Sequence, residues 1–176
     1  QQGGTATIAL PRLASHVIDS GKDTTGLGRW SWIYVGTEHR KTRIITAYQP
    51  CRSSTRGMNR KKLRGGTVWA QHQRYFHKKG IFNNPRTMFY KQLVALFKQW
   101  RAKGDEIIFF GDINENIYTG RIAKRLAEDD LQMAEQVQAS TGLACPASHA
   151  RGTSAITGTF ATPGIICENS FVSSHG

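Results

Sequence analysis

The sequence is most constrained at one junction, where the apolar run Ile107-Ile108-Phe109-Phe110 breaks off at Gly111-Asp112-Ile113-Asn114. A short run of large apolar residues closed by a turn signal predicts a buried strand, here from Asp105 to Phe110. Just upstream, Met88, Phe89, Leu93, Leu96, Phe97 and Trp100 recur at intervals of three and four. That spacing predicts an amphipathic helix from Pro85 to Arg101, with Pro85 where a missing N–H costs nothing and Gly104 as the C-cap. A helix feeding a buried strand through a glycine turn commits the chain to layers of helix and sheet.

The remaining elements follow from residue type. Thr5-Ala6-Thr7-Ile8-Ala9-Leu10 alternates small and apolar side chains and reads as a strand, and His16-Val17-Ile18-Asp19 as a shorter one. Arg29 to Val35 and Thr42 to Tyr48 are rich in aromatic and β-branched residues. The turn-like Gly36-Thr37-Glu38-His39 between them predicts an antiparallel hairpin, with Trp30 and Trp32 as core or hairpin residues. Pro50 stops that strand, and a basic loop follows from Cys51 to Gly66. Helices are expected over Thr67 to Lys79 and Thr119 to Gln138, the second broken near Asp129-Asp130. His72 and His77 read as surface residues of the first. Ser154 to Phe160 and Ile165 to Val172 are the last expected strands. With no internal repeat or linker, residues 1–176 read as one domain of the α+β class, a mixed-sheet α/β sandwich.

Charge narrows the partners. The net charge is +12, and between Arg40 and Lys103 stand 17 Lys or Arg and no acidic residue. Such a block favours a polyanion, because each neutralised phosphate releases condensed counterions; nucleic acid, DNA or RNA, is the expected partner. No apolar run approaches the roughly 18 to 20 residues that cross a bilayer, and no lipid-seeking helix accompanies the block, so no membrane partner is expected. No initiating Met and no secretory leader are visible, and the opening reads as the interior of a longer chain. Cys51, Cys145 and Cys167 form no CxxC pair and are too few for a disulfide framework, so they read as reduced structural thiols.

The chemistry concentrates after the buried strand. Alternation along a strand places Asp112 and Asn114 at its carboxyl end, on one side. A carboxylate there can hold a divalent cation or take a proton from water, and an amide beside it can donate to a developing oxyanion without adding charge. Together these are the requirements of phosphodiester hydrolysis.

The segment from Ile107 to Glu115 resembles the apolar strand ending in GDxN of the DNase I-like endonuclease/exonuclease/phosphatase family. Ile44-Ile45-Thr46-Ala47-Tyr48-Gln49-Pro50, about 60 residues upstream, resembles that family's strand ending in YxP, with the helix Pro85 to Arg101 between them as expected. Gly3-Gly4-Thr5-Ala6, Gly26-Leu27-Gly28-Arg29-Trp30 and Thr153 to Ser173 extend the similarity along nearly the whole chain. The resemblance implies a DNase I-like four-layer sandwich, incomplete at both ends, and a Mg²⁺- or Mn²⁺-dependent phosphodiesterase. It implies that Asp112 activates water or holds the metal and that Asn114 binds the scissile phosphate. Tyr48 would contact the phosphate or the metal shell, and Arg52 or Arg56 would clamp a phosphate. Glu115 reads as a helix or turn carboxylate.

The sequence departs from the family pattern at three places. The early Asn and metal-binding Glu have no counterpart; the closing Asp-His is matched only by Ser174-His175; and Thr157 stands where members commonly have an Asp that orients the catalytic histidine. A threonine cannot stabilise an imidazolium by charge. The chain alone is therefore expected to be inactive. Endonuclease domains of non-LTR retroelements are similar in style, and inositol-phosphate phosphatases share the chemistry. The competing readings are a non-catalytic nucleic-acid-binding domain and a regulatory domain whose basic block meets an acidic protein.

Overall fold

The computed structural model describes residues 4–37, 39–51, 67–149 and 152–169. Within them runs one mixed sheet of six strands: β1 (Val17–Lys22), β2 (Trp30–Gly36), β3 (Lys41–Tyr48), β4 (Glu106–Asp112), β5 (Ala134–Glu135) and β6 (Thr157–Ala161), in the order β1-β2-β3-β4-β6-β5. Only β3 and β4 are parallel. The helices are α1 (Pro11–Ala14), α2 (Val68–Lys78), α3 (Pro85–Arg101), α4 (Arg121–Leu126) and α5 (Gln136–Thr141). This is the expected α+β architecture, and the β2–β3 hairpin is antiparallel as its sequence predicts.

One face of the sheet is packed by α3. Asn84 caps that helix by accepting from the Thr87 N–H, Pro85 opens it, and Gly104 turns the chain at φ 78°. Its apolar stripe meets every second residue of β2, β3 and β4. Trp30 lies edge-on to Phe89 at 5.9 Å, Trp32 to Trp100 at 5.5 Å, and Phe97 to Phe109 at 5.4 Å, while Phe109 stacks on Phe160 at 5.8 Å. Trp30 and Trp32 are thus packing residues, as expected. Two ion pairs brace this side. Asp23 holds Arg29 through two nitrogens at 2.6 and 2.8 Å, both side chains buried, and Arg43 donates to Asp105 at 2.9 Å beneath Tyr34.

Four expected elements come out differently. Residues 5–10 form no ladder, although their alternation is real: Thr7 turns inward to bond Ser31 and Thr46, and Ile8 and Leu10 face solvent at 80% and 71% exposure. Side chains rather than backbone attach this segment. The single helix expected over Thr119 to Gln138 is instead α4, β5 and α5, because Asp130 is drawn back to Arg125 and Lys98 and Gln132 takes a positive φ of 50°. The strand expected from Ser154 starts at Thr157, since Ser154 and Ala155 spend their carbonyls on Ser148 and Ile117. Residues 165–169 are irregular, and the rest of that expected strand, 170–172, lies outside the described residues.

Candidate active site

Strand β4 runs two residues further than its apolar core predicts, to Asp112. Gly111 permits this, because a Cβ there would meet the Phe109 ring at 2.4 Å and the Ile113 side chain at 2.9 Å. Asp112 consequently closes two ladders at once. It pairs with Tyr48 on parallel β3 and with Thr157 on antiparallel β6. Register partners share a face, so Tyr48, Asp112 and Thr157 form a row across three strands, on the side away from α3. Thr46, Phe110 and Thr159 form the next row.

These rows floor an open cleft of about 740 Å³, walled by residues 4–6 and by the segment from Cys145 to Ser148. Ser148, which sequence reasoning did not single out, accepts from the backbone N–H groups of Ile156 and Thr157 at 2.9 and 3.0 Å and so ties the wall to β6. Its only advance signal was a serine among Gly and Pro punctuation. Asp112 is half-buried. Burial pushes its carboxyl pKa up, partly opposed by the Asn114 backbone N–H. Burial also pushes the Tyr48 hydroxyl up, with Cys51 and then Asp112 adding to the effect.

Asn114 is not placed by strand alternation as expected. The ladder ends at Asp112, and Asn114 sits at φ 47°, a left-handed conformation that asparagine tolerates better than most residues. Its side chain turns back to donate to the Gln49 carbonyl at 2.6 Å and to accept from the Cys51 thiol at 2.9 Å. It therefore staples the end of β3 to the end of β4. Arg86, a buried member of the basic block, fixes this turn by donating to the Asn114 carbonyl at 3.0 Å and to Glu115 at 3.2 Å. Glu115 also accepts from the Ile122 N–H at 2.7 Å, which makes it the expected helix carboxylate. Arg52, Arg56 and His175 lie outside the described residues.

The histidines divide. His77 is exposed as expected, but His72 is 2% exposed, because it shares the inward stripe of α2 with Phe76 four residues on. Burial, and then the Arg29 guanidinium, hold its pKa down to about 4.

The charge of the basic block is partly spent inside the molecule. Arg43, Arg86, Lys98 and Arg101 pair with Asp105, Glu115, Asp130 and Glu106, all from outside the block. No Lys, Arg or His is among the described residues lining the cleft. Its second carboxylate, Glu135, already accepts from the Val137 and Gln138 N–H groups. Among the described residues no three metal-ligating side chains converge, so Asp112 alone does not make a site for a hard divalent cation. No helix there is long and apolar enough to cross a membrane. Cys51, Cys145 and Cys167 are free thiols.

No protein-family model matches the sequence, and comparison with curated proteins gives no match. Among solved structures, the chain is similar to the human Nocturnin catalytic domain with bound sulfate, at 12% identity and a TM-score of 0.43, over 76% of this chain and 40% of that one. It is also similar to a β-hairpin deletion mutant of beta toxin from Staphylococcus aureus, at 13% identity and a TM-score of 0.40, over 82% and 47%. A third is sphingomyelinase C from Streptomyces griseocarneus, at 13% identity and a TM-score of 0.38, over 78% and 43%. The chain spans less than half the length of each.

Proposed function

We propose that this chain is part of a metal-dependent phosphodiesterase of the DNase I-like type, and that its substrate is nucleic acid. The observation that carries the reading is the row Tyr48–Asp112–Thr157 on the floor of a cleft, at the carboxyl ends of two parallel strands. Ligands of sheets with parallel strands bind outside those ends. A carboxylate whose pKa is raised by burial is a better proton acceptor for water than a solvated one. Beside it Tyr48, kept protonated, can donate to a phosphoryl oxygen. Asn114 holds the two strand ends together with one N–H of its amide on the Gln49 carbonyl, and the second N–H of that amide can serve a phosphate oxygen. Mg²⁺ or Mn²⁺, as a Lewis acid, would neutralise the phosphate where the described lining offers no cation. Such an ion would need ligands beyond Asp112, and the described residues do not gather them.

The test is Mg²⁺-dependent cleavage of an oligonucleotide by the protein expressed from its full reading frame. Asp112→Asn is expected to lower kcat by about 10²- to 10⁴-fold with oligonucleotide binding retained. Cleavage undiminished in that variant would remove Asp112 from the chemistry.

The described lining of the cleft, with no cation and with Glu135 already held by the Val137 and Gln138 N–H groups, favours a second reading: a nucleic-acid-binding domain without turnover. It predicts salt-sensitive binding that survives Asp112→Ala, with no hydrolysis by the full-frame protein.

A further inference from the structure

The turn between α2 and α3 carries an exposed aromatic ring on a fixed mount. Phe82 is 80% exposed, the His77 ring lies 5.5 Å from it, and Lys78 and Lys79 are exposed beside it. The backbone on both sides is locked. Gly80 takes φ 73°, its N–H donates to the His77 carbonyl, and the Ile81 N–H donates to the Phe76 carbonyl, which together form a Schellman cap on α2. Two residues after Phe82, Asn84 caps α3. An exposed phenylalanine between two capped helix ends projects without the entropy of a loose loop.

Its position ties it to one end of the sheet. Arg86, four residues on, donates to the Asn114 carbonyl, so the turn stands at the sheet end that carries Tyr48 and Asp112. Four residues of chain span at most about 14 Å, so Phe82 lies within that reach of the Arg86 backbone at the start of α3. No Asp or Glu occurs between Arg40 and Lys103, so α2, the turn and α3 contribute no negative side chain of their own.

We propose that Phe82, with Lys78 and Lys79, forms a contact surface for single-stranded nucleic acid at the sheet end that carries Tyr48 and Asp112, the ring stacking on a base and the lysines meeting phosphates. A π-face suits any base, and adjacent cations suit the backbone on either side of it. A bilayer is the poorer fit, because stable adhesion takes a broad apolar face and this turn offers one ring. The inference rests on the nuclease reading and deepens it by assigning the single-stranded form of the substrate.

The test measures binding of a fluorescent single-stranded 20-mer to the 176-residue chain at several salt concentrations. Phe82→Ala is expected to weaken binding about tenfold with the salt dependence unchanged. Phe82→Trp should retain affinity, and its fluorescence should be quenched on binding. Lys78→Ala/Lys79→Ala should reduce the slope of log affinity against log salt by about 1.4. Affinity unchanged in both alanine variants overturns the proposal. So does loss of binding to phosphatidylserine vesicles in Phe82→Ala with oligonucleotide binding intact, which would make the turn a membrane contact. In the full-frame protein, hydrolysis of bis(p-nitrophenyl) phosphate should be indifferent to Phe82→Ala. Binding through Phe82 without any hydrolysis would sink the enzymatic reading alone, and hydrolysis of the 20-mer at full rate in Phe82→Ala would sink the surface alone.

Discussion

The two faces of strand β4 were made from similar residues and have met different fates. Ile107 and Phe109 point into the α3 layer and are 0% exposed, whereas Phe110, on the opposite face, is 43% exposed above the cleft. A strand buried on both sides and a strand lining a site can both read as one apolar run, and what separates them is the layer that lies against each face. The helical face is closed by aromatic packing and two buried ion pairs. The other carries hydroxyls, a half-buried carboxylate and a ring left in view. The first face holds the protein together; the second stands open among the described residues.

Truncations should expose the asymmetry. Phe109→Ala is expected to cost about 3 to 5 kcal/mol in urea unfolding, and Phe110→Ala about 1 to 2 kcal/mol. Equal costs would mean that the cleft face is covered in solution and would end the comparison. The ion pairs follow the same rule. Asp23→Ala strands the buried Arg29 guanidinium and should cost about 3 to 5 kcal/mol. Lys98→Ala removes a half-exposed partner of Asp130 and should cost no more than about 1 kcal/mol.

His72 gives the closed face a pH signature. Arg29 and Asp23 are the charged groups that act on it, and its folded pKa of about 4 lies below the usual 6.5. Between those values the unfolded chain binds the proton more readily than the folded one. Stability should therefore fall as pH drops from 6.5 to 4, by about 3 kcal/mol in all, and draw nothing from this source above 6.5. Urea midpoints across that range should show a slope that flattens in His72→Gln. An equal slope in the variant would assign the acid sensitivity to other groups.

Sequence periodicity revealed the closed face well and the open one poorly. The α3 stripe, the β2–β3 hairpin and the β4 run are repeated local signals, and each element appeared where its spacing put it. Asp112 was legible too, as the first polar residue after a buried run. Tyr48 and Thr157 were reached only through the family resemblance, because the register that sets them beside Asp112 is a property of pairing between strands far apart in the chain. Asn114 misled for a related reason: alternation holds only while the ladder lasts, and the ladder ended two residues earlier. His72 reads as a surface residue in a helix rich in basic side chains, but its phase with Phe76 is the better guide.

The smallest expected effect is the most informative about the open face. Burial raises the Asp112 pKa, so the folded state holds that proton more tightly than the unfolded chain does. Stability from this group is fully present below the unfolded value near 3.9 and is lost as pH rises through the folded one. An ionised Asp112 at neutral pH is thus a strain on the fold. Asp112→Asn keeps an oxygen for the Asn114 N–H and removes the charge, so its melting temperature should exceed the parent's at pH 7, and the difference should vanish below pH of about 4. An Asn variant less stable than its parent at pH 7 would instead show that the charge is compensated in solution, and the cleft would then hold a cationic partner for Asp112 even in the resting protein.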